Sequence, residues 1–329
     1  MASSLEYADA EPRIAGGAHR APAIETNLNT GSDRPPGGTR VDVPVRELMR
    51  PGSLAEALAA LAERPDALPI AGGTDLLVQL RDGRKRATAL LDLDRLALAS
   101  IRESEAGIEI GAATHMDVIA ADLRIRRLHP ALAEAAAQIG AWPIQCRATL
   151  GGNLANASPA ADTAPALLIE GALVFLASRA GTRQVPVEGF FLAPGRSALA
   201  PGELILSVVV PSPQNDPGVR AVERFIKVGP RREQIISVVS LAGRALLATD
   251  GTLAELRLAL GSVAPTPVRA RCTERLLTGR RLDAELRREA ARVLQDDIAP
   301  IDDVRAPARY RRIASAVLLD RFLEEAARG

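Results

Sequence analysis

The chain has 329 residues with 41 Lys+Arg against 40 Asp+Glu, a formal net charge of +1, so bulk electrostatics give no reason to expect nucleic acid or an acidic membrane as a partner. Hydrophobic residues at 47% and charged residues at 25% exclude general disorder, allow a sizeable core and, at this length, suggest two domains. Aromatics are only 2%, which leaves few stacking platforms for bases and a core built from Ala, Leu, Val and Ile.

Residues 1–40 are rich in Gly, Pro, Ala, Ser and Asn without helical or strand period, and are read as a disordered or loosely draped tail. From Ser53 the stretch SLAEALAALAE has a serine N-cap, Glu56 three residues later and leucines at 54, 58 and 61 on one face, which predicts a helix. ALPIAGGTDLLVQL follows as a short strand, a Gly-Gly turn and a second apolar segment, then ATALLDLDRL as a strand with a turn. GIEIGAATHMDVIAA predicts an alternating strand and a helix capped by Thr114, and HPALAEAAAQIG an amphipathic helix ending at Gly140. TLGGNLANASPAADTAPALLIEGALVFLAS is read as a glycine turn, a polar loop, a short helix and a strand, and PGELILSVVVP as a buried strand closed by Pro211. The polar linker SPQNDPG marks a domain boundary. Beyond it come long strands over ERFIKVGPRREQIISVVSLAGRALLA and AELRLALGSV, then three helical stretches, an α+β order.

Three segments carry candidate chemistry. In Ile70–Leu77, IAGGTDLL, side-chain-free glycines could bring backbone N–H groups close to a ligand as an amide nest suited to a diphosphate, or could make a plain connecting turn. TLGGNLANASPAAD, from Thr149 to Asp162, repeats the device and adds Asn153, Asn156 and Ser158, with Asp162 able to accept from a sugar-like hydroxyl, or is an elaborate connection between strand and helix. In RFIKVGPRREQIIS, Lys227, Arg231 and Arg232 surround a Gly-Pro turn and could neutralise phosphate or a reduced flavin ring, or form a solvated basic turn. Neither GxGxxG nor GxxxxGK[ST] is present. Cys146 and Cys272 are too few for an iron-sulfur cluster, and with His19, His115 and His129 they are wrongly spaced for zinc, so no metal ligands are assigned to this chain. No catalytic acid, base or nucleophile is assigned either. No apolar run approaches the ~20 residues that cross a bilayer, and the N-terminus has no apolar signal core, so a cytoplasmic protein without a transmembrane segment is expected.

In this order, SLAEALAALAE, AGGTDLL, GAATH, TLGGNLANASPAAD, PGELILSVVVP and KVGPRREQIISVV resemble the FAD-binding medium subunit of the molybdenum hydroxylases, the xanthine dehydrogenase and carbon monoxide dehydrogenase family. The resemblance covers about Val41 to Arg328. It implies an α+β protein: a two-lobed FAD-binding domain of the vanillyl-alcohol oxidase (PCMH) type over 41–215, with lobes of about 41–97 and 98–215, and a smaller α+β C-terminal domain over 216–329. It further implies that Ile70, Ala71, Gly72, Gly73, Thr74 and Asp75 line the diphosphate of FAD, with Leu76 closing that loop. By the same resemblance, Thr149, Gly152, Asn153 and Asp162 would hold the diphosphate, ribityl and adenosine side from the other half. On that resemblance Ile205 would pack on the flavin and Lys227 would approach its ring, and Ile139 and Ala148 match further flavin-lining positions, with aliphatic Ile139 or nearby Trp142 where relatives often carry an aromatic.

The resemblance also implies the partners: a large subunit with a molybdopterin cofactor and a small subunit with two [2Fe-2S] clusters, assembled as a dimer of heterotrimers. On this resemblance, FAD on this chain would pass the electrons to an external acceptor. The alternatives are a self-contained FAD oxidoreductase, disfavoured by the scarcity of His and Tyr, and a cofactor-free scaffold, disfavoured by the intact glycines at 72, 73, 151 and 152.

Overall fold

A computed structural model describes residues 45–213, 218–229 and 236–328, which fall within one compact unit, Val41–Gly329. The tail expected over 1–40, most of the SPQNDPG linker, and Arg231 and Arg232 of the basic turn lie outside the described residues.

The first elements are β1 (Glu47–Met49), α1 (Leu54–Glu63), β2 (Ala67–Ile70), α2 (Leu76–Arg81) and β3 (Ala89–Asp92). The strands form a parallel sheet in the order β1-β3-β2. Ser53 caps α1 by accepting from the Glu56 amide, 3.2 Å, while the Glu56 carboxylate accepts from Gly52 N, one residue earlier than a standard capping box. Ala57, Leu58 and Leu61 of α1 pack with Leu91 and Leu96 as a small core.

Next come β4 (Ile101–Ser104), β5 (Gly107–Gly111), α3 (Met116–Ala121), α4 (Leu123–Leu128), α5 (Pro130–Ala137), α6 (Trp142–Gln145), α7 (Leu150–Asn156) and α8 (Thr163–Glu170). They are followed by β6 (Leu173–Ser178), β7 (Gly181–Pro186), β8 (Phe191–Ala193), β9 (Arg196–Ser197) and β10 (Leu204–Val210). Five of these strands make an antiparallel sheet in the order β4-β5-β10-β6-β7. Strand β10 serves two cores through its alternating side chains: Leu204 joins the one under α1, and Ile205 the large core around α5, α7 and α8. The cap of α3 departs from the sequence reading. His115, not Thr114, is the N-cap, because the Thr114 hydroxyl is committed to the backbone N–H and C=O of Ser100, both at 3.1 Å.

The C-terminal part holds β11 (Arg220–Val228), β12 (Val239–Leu247), β13 (Leu253–Gly261) and β14 (Val268–Arg269) in one antiparallel sheet, then α9 (Arg271–Leu277), α10 (Ala284–Asp297) and α11 (Ala308–Arg328). Both faces of this sheet are covered, and every residue of β12 is buried. Phe225, Ala242 and Ala259 join the core of α5 and α8, while Leu241, Leu258 and Leu260 pack with Leu318 and Phe322 of α11. The ring of Phe322 lies where a β-carbon on Gly243 would stand, 2.6 Å from its nearest atom.

A buried polar cluster sits in the seam between α5, α8 and this sheet. Glu223 of β11 accepts from the Ala131 amide, 2.9 Å, and hydrogen-bonds to Glu170 at the end of α8. His129 and Arg244 complete the group, and Arg244 also lies 3.9 Å from Glu255 of β13. His129 is fully buried with its Nδ1 3.4 Å from Glu170, and burial pushes its pKa down to about 4, so the ring is neutral. Burial, with the Glu170 carboxylate beside it, pushes Glu223 up to about 9, so it carries the proton of the pair. A raised native pKa contributes stability that is complete below the ordinary carboxylate range and is lost as pH rises toward 9. Glu223→Gln can make the same two hydrogen bonds but has no proton to lose. Its thermal midpoint is expected to match the parent at pH 5 and to fall less steeply from pH 5 to pH 9; parallel curves would refute the assignment.

Candidate functional site

The first Gly-Gly motif forms an open loop between β2 and α2. Ile70 keeps its carbonyl in the sheet region by accepting from Leu93 N, 2.9 Å, and Asp75 stands at the N-cap of α2. Gly73 has φ +72°, a conformation that favours glycine. Among the described residues, the amides from Ala71 to Asp75 donate to no acceptor. Five consecutive N–H groups without protein partners among the described residues are donors available to an anion.

The second motif differs from the sequence reading. It is not a glycine turn: Thr149 is the N-cap of α7, and Gly151 and Gly152 lie in the first turn of that helix. Nor is it a second amide nest. Leu150 N donates to Thr114 O (3.1 Å), Gly151 N to Ala112 O (2.8 Å), Gly152 N to Thr149 Oγ1 (3.1 Å) and Asn153 N to Thr149 O (3.0 Å). The physical reason is a threonine cap that competes for the same donors and closes a helix where two glycines in a row suggest a turn. What the segment presents is a bare face. A β-carbon on Gly152 would meet nothing within 4 Å except its own capping oxygen at 2.9 Å.

The other three glycines of the two motifs answer to the protein itself. Gly73 has its dihedral; Gly72 lets the Arg147 carbonyl approach to where its β-carbon would be, 1.7 Å away; and Gly151 packs on Ala112. The Gly72 contact presses the two loops together. Asn156, at the end of α7, ties them further: its Nδ2 donates to Asp75 Oδ2 and its Oδ1 accepts from Gln79 of α2, each at 2.7 Å.

The remaining expected residues lie around this junction. Ala148 is almost buried, and its carbonyl accepts from Met116 N, 3.0 Å. Asn153 Oδ1 accepts from the Thr163 hydroxyl, 2.6 Å. Asp162 is buried just before α8, where it accepts from Lys227 Nζ at 2.5 Å and from the Ser237 hydroxyl. Lys227 also donates to the carbonyl of Gln138, 2.9 Å, next to Ile139. Both side chains of the pair are buried, at 4% and 6% exposure. Burial raises the pKa of Asp162, and Lys227 and Ser237 oppose that rise. Ile205 lies in the large core beside a β-bulge, one residue before Leu206, whose carbonyl accepts from Ala112 N. Ala112 in turn takes the Gly151 amide, so Ile205 reaches the α7 junction through the backbone. Trp142 is 66% exposed on α6.

Sequence reasoning did not single out Gln79, Gln138 or Ser237, because their partners lie 75 to 89 residues away along the chain and meet them only through the fold. Among the described residues no group of three His, Cys, Asp or Glu side chains converges as a metal site, and no helix is long and apolar enough to cross a membrane.

A parallel three-stranded lobe and a five-stranded antiparallel lobe meet at a loop of unpartnered amides, the architecture expected of a two-lobed flavin-dinucleotide-binding protein. The family described as the FAD binding domain in molybdopterin dehydrogenase matches residues 43–213, and the CO dehydrogenase flavoprotein C-terminal domain matches 224–326. The xanthine dehydrogenase FAD-binding subunit of Escherichia coli O157:H7 is 33% identical over 84% of this chain and 94% of its own length. The carbon monoxide dehydrogenase medium chain of Afipia carboxidovorans is 30% identical over 84% and 95%. A solved carbon monoxide dehydrogenase chain from Hydrogenophaga pseudoflava superposes with a TM-score of 0.80 at 29% identity, over 86% of this chain and 97% of that one. The chain belongs to the FAD-binding medium subunits of the molybdenum hydroxylase family. It is the FAD-carrying oxidoreductase subunit of such a complex.

Proposed function

We propose that this chain holds FAD across the junction of the two loops and passes electrons from a partner subunit to an external acceptor in the cytoplasm. The observation that carries the residue assignment is the pairing of a five-amide nest at Ala71–Asp75 with the bare face of Gly152. A doubly charged diphosphate would be gripped by the first and lie against the second. Ile70 and Leu76 flank the nest. Thr149, whose hydroxyl proton is not used by its cap role, and Asn153, whose Nδ2 has no partner among the described residues, would supply directional donors beside it. Asp162 and Lys227 would bound the site from the α7–α8 loop and the C-terminal sheet, with Ile139 and Ala148 on the apolar side and Ile205 beneath.

Bound FAD accepts electrons singly and releases them as a pair, so the protein's part is to orient it, tune its potential and leave an edge accessible. No general base is required of this chain for that task, and neither histidine among the described residues is set up as one: His115 bridges to Thr149 at the start of α3, and His129 is sealed in the core. The partners would be a large molybdenum-cofactor subunit and a small subunit with two [2Fe-2S] clusters, in a dimer of heterotrimers.

The test is the absorption spectrum of the purified chain and of its complex. Stoichiometric flavin is expected, native or after incubation with FAD. A colourless protein that cannot be reconstituted would leave only the scaffold reading, and turnover of an organic substrate by the isolated chain would favour a self-contained oxidase.

A further inference from the structure

We infer that Asn156 is a positioning residue that clasps the two flavin loops across the lobes, holding the Asp75 end of the nest at the distance from Gly152 that the ligand needs. This rests on the FAD assignment above. Asn156 closes α7 on the second lobe, whereas Asp75 and Gln79 belong to the loop and helix of the first. Its side chain uses both halves of the amide at once, donating Nδ2 to the Asp75 carboxylate and accepting at Oδ1 from Gln79, both at 2.7 Å. Only a short side chain with a donor and an acceptor on one carbon makes both contacts. The bond to Asp75 is charge-assisted, and the Asp75 side chain makes no cap hydrogen bond to α2. The clasp is therefore the use the carboxylate has within the described residues. Asp75 is also the last member of the unpartnered amide run, so fixing its side chain fixes the backbone of the nest.

The chemistry of the pair gives a test that a merely structural asparagine would fail. Asn156→Asp puts two carboxylates face to face. Asp75→Asn alone preserves an acceptor for Asn156, and the double variant D75N/N156D exchanges donor and acceptor and restores the bond. FAD release from the full-length, flavin-loaded chain can be followed by recovery of flavin fluorescence after dilution. N156D is expected to release FAD about tenfold faster, as loss of one charge-assisted hydrogen bond implies. In the D75N background the same N156D change is expected to have little further effect, with the thermal midpoint of the flavin-free chain following the same pattern. Release from N156D at the parental rate, or an equal acceleration in both backgrounds, would overturn the clasp while leaving the FAD assignment standing. A parent chain that takes up no FAD would overturn both.

Discussion

Gly152→Val is expected to give a folded but colourless protein. Outside its own helix turn, the new β-carbon would meet only the Thr149 hydroxyl, 2.9 Å away, so the expected damage to the apo fold is a weakened cap, about 1 kcal/mol. Replacing glycine by valine within a helix offsets part of that, by a few tenths of a kcal/mol. On the proposed placement of FAD the ligand has no such latitude, because a β-branched group would fill the space its diphosphate would take. Gly72→Val is the contrasting control. Its β-carbon would stand 1.7 Å from the Arg147 carbonyl, backbone that cannot swing aside, so the two loops must separate and stability falls with flavin content. Flavin stoichiometry and thermal midpoint together separate the cases. Full FAD content in Gly152→Val would mean that the bare face is not where the ligand lies.

Lys227→Met is expected to show the largest pH-dependent loss of stability. It strips Asp162 of its counter-ion while leaving the carboxylate buried with the Ser237 hydroxyl as its remaining side-chain partner. Breaking a buried pair by removing one member destabilises by roughly 3–5 kcal/mol, because the other charge is left uncompensated. Asp162 can escape by taking a proton, and burial already pushes its pKa up. The variant is thus expected to be far less stable than the parent at pH 8 and to recover toward pH 5. Lys227→Met/Asp162→Asn, with no buried charge to compensate, should regain most of the loss at pH 8. Urea midpoints of the four proteins measure the coupling, and additivity of the two single changes would remove the pair from the account. Sequence reasoning alone expects Lys227→Ala to lower the flavin potential with occupancy largely intact. The buried pair changes that expectation: without Lys227, Asp162 and the Gln138 corner lose their tie to the C-terminal sheet, so flavin affinity should fall together with the potential.

The long elements were legible because their signals are local. Ser53 and Glu56 mark the start of α1, and the apolar runs of β10, β12 and β13 and the periodicity of α10 and α11 lie within single windows of sequence. Short, exposed or polar elements were not: β7 reads GTRQVP, and α4 is a six-residue helix begun by Asp122. The two Gly-Gly motifs show both outcomes side by side. The first is the open turn its glycines suggest. The second is a helix start, and the deciding sign was Thr149 followed three residues later by a position whose amide it caps. The polar contacts that organise the site, Asp75–Asn156, Asp162–Lys227 and Glu170–Glu223, join residues 53 to 81 positions apart and exist only once the sheets have assembled.

The C-terminal sheet has consequences for how this polypeptide can be divided. Its inner surface is roofed by α5 and α8 of the preceding part, and Phe225, Ala242 and Ala259 lie beneath that roof. A gene fragment stopped after Pro211 would leave those two helices with an uncovered greasy flank, and the complementary fragment would carry the matching one. Expressed apart, each piece would be sticky; expressed together, they have the surfaces to find one another, so the family's two sequence modules behave as one physical object.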